Sequence, residues 1–205
     1  MSGEVFAHEA REVARNEAVD SFPTPNEARD ILHEFTTSLN LRRHAYAVGA
    51  AMRAYAGQVG EKGDRWEAVG LLHDFDYERH PSLEEHPFKG AEILRSRGVD
   101  EECIKDIFAH APHTGQPRDT LLRKAIFSLD ELCGFIVAVA LVQPNKKLAE
   151  VTVDGVLKKL AQKGFAARVS RSDIVLGAAE LSLSLPEHVR TVLAALQKIA
   201  GELGL

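Results

Sequence analysis

His73 and Asp74 stand side by side at the end of the apolar stretch Trp66-Glu-Ala-Val-Gly-Leu-Leu72. A helix that buries both side chains must give each a polar partner, because an unpaired buried polar group costs on the order of 2–7 kcal/mol. One metal ion satisfies both at once, accepting a neutral imidazole nitrogen and a carboxylate oxygen. More residues of the same two types fall at helical positions: His44 upstream, and His86, His110 and Asp130 downstream. Asp130 interrupts the apolar face made by Leu121, Leu122, Ile126 and Leu129, with no lysine or arginine one turn further on. A carboxylate in that setting needs a compensating cation. The order His, His-Asp, His, His, Asp therefore reads as a metal site.

The elements that must position these residues are helical. Residues 1–22 are weakly patterned and are expected to form an N-terminal arm. Thr24-Pro25-Asn26-Glu27 reads as a capping box with proline at the first helical position. The next helix carries Leu41, Ala45, Val48, Met52 and Tyr55 on one stripe, with His44 at its edge. Asp64 is expected to cap the helix whose Trp66, Val69, Leu72 and His73 recur at helical spacing. Pro87 and Gly98 bracket a short helix, and Asp100 opens another that runs to about His110. The longest helix spans about 120–142, is apolar on every side from Leu132 onward, and is expected to be central and fully buried. Gln143-Pro144 stops it. Beyond it, Thr152–Lys163, Ser170–Glu180 and a helix opened by Ser184-Leu-Pro-Glu187 complete the pattern. No β-alternation persists and no repeat occurs, so the expectation is all-α. The main domain should cover 23–150, with 151–205 as a C-terminal helical cap packed on it.

Composition narrows the classes. The chain has 205 residues, 45% hydrophobic and 27% charged, which suits one core of ordinary size. A net charge of −5 gives no reason to expect a nucleic-acid polymer as partner. Cys103 and Cys133 form no CxxC pair, so neither a disulfide framework nor a thiolate zinc site is indicated. The run Phe135–Val142 is too short to span a bilayer and the start lacks a signal-peptide pattern, which leaves a cytoplasmic location and no membrane partner as the expectation. His8, His33, His80 and His188 are expected to be solvated, as are the lysine pairs Lys146-Lys147 and Lys158-Lys159.

The segments Leu-Arg-Arg-His44, Ala-Val-Gly-Leu-Leu-His73-Asp74, His86-Pro-Phe-Lys-Gly-Ala-Glu-Ile-Leu94, Asp-Ile-Phe-Ala-His110 and Phe-Ser-Leu-Asp130 resemble the HD-domain superfamily of metal-dependent phosphohydrolases. The resemblance implies an HD helical bundle with a C-terminal helical extension, in which His44, His73, Asp74 and Asp130 ligate a metal. In the HDIG-like subgroup with extra histidine ligands, His86 and His110 would serve a second ion. His110-Ala-Pro-His113-Thr-Gly115 offers two histidines for that last position. Phe75-Asp76-Tyr77 stands where many two-metal members have Ile-Gly-Lys, so their phosphate-contacting lysine is missing, and the Gly-Tyr-Pro signature of cyclic-dinucleotide phosphodiesterases is absent.

The implied activity is hydrolysis of a phosphate ester or anhydride of a small molecule, a nucleotide above all. Asp74 would be catalytic, and His113 or Asp76 would shuttle a proton. Arg79 and Arg118, on loops expected to rim the site, would hold phosphate. One or two divalent transition-metal ions per chain are expected, with Mn, Fe, Co, Ni or Zn suited to the histidine-rich set better than Mg. Two rivals are a diiron oxygenase resembling myo-inositol oxygenase and a non-catalytic nucleotide-binding HD protein. A homodimer is left open.

Overall fold

Chain segments that alternate apolar faces with capping residues become helices in the computed structural model, which describes residues 21–205. The expected arm falls mostly on residues 1–20, outside the described residues. Of its last two residues, Ser21 pairs with Val99 in an isolated bridge and Phe22 packs on the core beneath the Arg65 guanidinium. Among the described residues no β-strand forms, and the fold is all-α.

Helix α1 (Pro25–Phe35) starts with the capping box, the Thr24 hydroxyl and the Glu27 carboxylate each accepting from the other residue's backbone N–H. Helix α2 (Leu39–Gln58) is capped by Ser38 and buries Ala45, Val48, Met52 and Tyr55. Helix α3 (Gly63–Leu72) begins after Lys62, two residues earlier than Asp64 capping would require. The Asp64 carboxylate instead pairs with Arg53, while still lying in the first turn where a negative charge is favoured. Helix α4 (Phe88–Ser96) ends before Gly98, whose φ of 72° suits the turn that follows. Asp100 caps α5 (Glu101–Phe108) by accepting from the Glu102 N–H.

Helix α6 (Leu121–Leu141) runs through the middle of the fold, in contact with α2, α3 and α5. It is not buried all round: Leu141 at its end and Val142 just beyond are half-exposed. Helices α7 (Val153–Leu160), α8 (Arg171–Glu180), α9 (Leu185–Lys198) and the short α10 (Ala200–Leu203) follow. Of these, α8 packs on α6, α9 on α2 and α6, and α10 on α2. No described helix is long and apolar enough to cross a membrane.

His188 is a correction to the sequence reading, being fully buried on α9. Its Nε2–H donates to the Ser128 carbonyl at 3.1 Å, which leaves Nδ1 to accept from the Tyr55 hydroxyl at 2.6 Å. The imidazole thus ties α9 to α6 and α2. A second buried network joins α5 to α6: Arg123 donates to Asp106 at 2.9 Å, and Asp106 also accepts from Arg65 of α3 at 2.8 Å.

Candidate metal centre

Two helices meet almost backbone to backbone at Gly49 of α2 and Gly70 of α3. A Cβ on Gly70 would stand 2.7 Å from the Gly49 Cα, so only glycine allows this approach. The approach sets His44, five residues before Gly49, against His73, three after Gly70; their Nε2 atoms lie 3.3 Å apart. Asp74 follows in the turn after α3, His86 precedes α4, His110 follows α5, and Asp130 projects from the middle of α6.

Donor atoms from all six residues converge. His44 Nε2 is 2.9 Å from Asp130 Oδ1, and His86 Nε2 is 3.1 Å from His110 Nε2. The Asp74 carboxylate is divided: Oδ2 lies 3.4 Å from His73 and 4.0 Å from His44, while Oδ1 lies 3.2 Å from His86 and 3.4 Å from His110. Two donor groups result, His44, His73, Asp74 and Asp130 in one and Asp74, His86 and His110 in the other.

The hydrogen bonds behind the rings test whether a cation fits. His73 Nδ1 lies 2.7 Å from the Gly70 carbonyl and His110 Nδ1 lies 2.6 Å from the Ile107 carbonyl. Carbonyl oxygens only accept, so both Nδ1 atoms carry the proton. His86 Nδ1 is likewise held, 2.8 Å from the Asp76 carboxylate. In their neutral forms these rings therefore point bare Nε2 lone pairs at one another and at two carboxylates. That arrangement is repulsive until a positive charge enters it, and imidazole nitrogens plus carboxylates are the donor set of a divalent transition metal.

The titration behaviour agrees. Burial works against charge on His73, but Asp74 and Asp130 outweigh it and raise its pKa well above the ordinary value. Burial also works against the Asp74 carboxylate, and His73, His110 and His86 hold its pKa well below the usual range regardless. For His86 the same contest, decided by Asp74 and Asp76, leaves its pKa raised to about 9. The cluster attracts cations, whether protons or metal ions.

Other residues singled out by the sequence stand elsewhere. Asp76 is fully buried behind His86, and its second oxygen accepts from the Gly90 N–H at 2.8 Å. It therefore faces away from the cavity and orients an imidazole. His113 is outside both donor groups; its ring Nε2 donates to the His86 carbonyl at 2.8 Å, and His110 occupies the place for which the two competed. Arg79 spends its guanidinium on the Glu34 and Phe35 carbonyls, and Arg118 is paired with both oxygens of Glu180. Neither arginine lines the cavity of about 390 Å³ above the donor groups. Its walls include Tyr77, which the sequence reading noted only as standing where a lysine was missing, and Phe127, Glu131 and Asp173, which it did not single out. Glu131 sits one residue past a candidate ligand on a half-buried position, a signal the sequence alone presents as a solvated helix charge.

Residues 41–133 match the HD domain family, a span that contains all six converging residues. Over that span the chain is similar to HD domains, a superfamily that is generally one of metal-dependent hydrolases. Neither the curated proteins nor the solved structures contain a significant match to it.

Proposed function

We propose that this protein is a metal-dependent phosphohydrolase acting on a phosphate ester of a small molecule. The observation that carries the reading is the divided Asp74 carboxylate, which joins two donor groups beneath one cavity. His44, His73, Asp74 and Asp130 would hold one ion, and Asp74, His86 and His110 a second. When bound, divalent ions supply Lewis acidity, making water acidic enough to attack near neutral pH and offsetting charge on phosphoryl oxygens. Asp76 keeps the His86 Nδ1 proton in place and so keeps its Nε2 turned to the centre. His113 pins the loop after α5 to the backbone of His86. Tyr77 and Phe127 give the cavity aromatic walls against which the organic part of a substrate would pack.

The test is metal analysis of protein purified without chelator, followed by a panel of phosphate monoesters, phosphodiesters and nucleotides. The expected result is bound transition metal, metal-dependent hydrolysis, and loss of both in Asp74→Ala while the far-ultraviolet circular dichroism stays helical. Full activity in Asp74→Ala overturns the reading. A carboxylate shared by two donor groups equally suits an iron pair, so oxygen chemistry is the second reading; substrate-dependent O₂ uptake without phosphate release would select it.

A further inference from the structure

The cavity above the donor groups does not end at them. His44 and Gly134 line both this cavity and a second one of about 280 Å³, so the two adjoin at these residues. Gly134 contributes no side chain to the junction; even a Cβ there would stay 4.0 Å from the His44 ring. The second chamber is walled by Val137 and Leu141 of α6 together with Leu203 and Leu205. Besides His44 at the junction, its polar side chains are Asn40 and Arg43, both on α2. Among the described residues, Arg43 is the one lysine or arginine in the lining of either cavity. Its guanidinium lies against Gly204, whose Cβ, if present, would meet it at 2.6 Å.

These walls discriminate among organic groups. A sugar seated here would bury hydroxyls with Asn40 and Arg43 as the polar side chains within reach, and unpaired buried hydroxyls are costly. A polyphosphate would meet Asp130, Glu131 and Asp173 with a single guanidinium to set against them. An apolar cavity of roughly 150 Å³ takes up benzene, so a chamber nearly twice that size has room for a substituted ring or a short alkyl chain.

We propose that this chamber receives the organic part of the substrate, selecting an apolar alkyl or aryl body, and that Arg43 binds a second anionic group carried on that body. The proposal rests on the phosphohydrolase reading for the bond that is cleaved, and it names the substrate class of the same site: small apolar phosphate esters with a further carboxylate or phosphate. The residues that determine specificity are Arg43, Val137 and Leu141.

The manganese-loaded protein is assayed with phenyl phosphate, 3- and 4-carboxyphenyl phosphate, and glycerol phosphate. The aryl esters should exceed glycerol phosphate in kcat/KM by about 10-fold or more, and a carboxyphenyl ester should exceed phenyl phosphate. Val137→Trp fills the chamber and should collapse the aryl-to-glycerol ratio toward 1. Leu141→Asp, at a half-exposed position that tolerates a charge, should do the same and covers the case in which the tryptophan variant misfolds. Arg43→Gln should erase the carboxyl advantage and leave the aryl-to-glycerol ratio standing. Equal use of aryl and glycerol esters, or a preference untouched by the two wall variants, overturns the proposal. Should no ester be cleaved, the hydrolase reading has failed and the chamber is still read by calorimetry. Phenylphosphonate should then bind at least about 10-fold tighter than methylphosphonate, with the difference lost in Leu141→Asp, and equal affinities refute it.

Discussion

Asp74 belongs to both donor groups, and Asp76, two residues further on, stands behind one of them through its hydrogen bond with His86. Asp76 holds the His86 proton on Nδ1, so removing its charge should loosen metal binding without opening the cavity. Asp76→Asn is expected to weaken metal affinity about 10- to 100-fold, the usual effect of losing such a support, with helicity intact. Competition with a fluorescent chelator measures this, and unchanged affinity would reduce Asp76 to a helix-end partner of Gly90. At this scale residue type and helical position sufficed to single out the six residues whose donor atoms the fold brings together, His44, His73, Asp74, His86, His110 and Asp130. The sequence was a poor guide where a partner lies far along the chain. Arg118 looked available for phosphate because Glu180 is 62 residues away, and His188 looked solvated because Tyr55 is 133 residues away.

The elements were legible through their caps. Thr24, Ser184 and Asp100 each stand where the sequence placed a helix start, since a side chain that satisfies nearby N–H groups is a local signal. The start of α3 was missed because Lys62 offers no such signal. Nor did the sequence announce the Gly49–Gly70 crossing, since the value of a missing side chain depends on what lies opposite. Gly70→Ala should cost about 1–3 kcal/mol of stability, although alanine gains roughly 1 kcal/mol of helix propensity, because its methyl meets backbone that cannot move aside. The same shift should separate His44 from His73 and lower metal affinity. Chemical denaturation together with metal titration checks both, and a variant as stable and as avid as the parent would show that α2 and α3 can slide apart freely.

Across the whole molecule, the C-terminal helices are fastened to the HD domain by α8 on α6, by the Arg118–Glu180 pair and by buried His188. Burial lowers the His188 pKa, so the folded state resists the proton that the unfolded chain accepts below about 6.5. The stabilisation is complete above that pH and is lost as the pH falls through the lower folded value. The difference in unfolding free energy between the parent and His188→Phe should therefore be greatest near pH 8 and shrink in acid. Comparing the pair cancels the contribution of the metal centre, and a gap independent of pH would mean that the folded and unfolded states protonate His188 alike.

The six converging residues come from parts of the chain as far apart as His44 and Asp130, 86 positions in sequence. No short stretch of unfolded chain can imitate the site, and α6 must be docked before Asp130 reaches His44. Time, more than equilibrium, is what this spacing governs. An ion that binds only the finished fold cannot hasten its assembly and can only delay its collapse. Refolding after dilution from denaturant should run at one rate with manganese or with chelator, while unfolding in concentrated denaturant should slow by about 10-fold or more when the ion is present. Faster refolding with manganese would mean that part of the cradle forms early, before the central helix arrives.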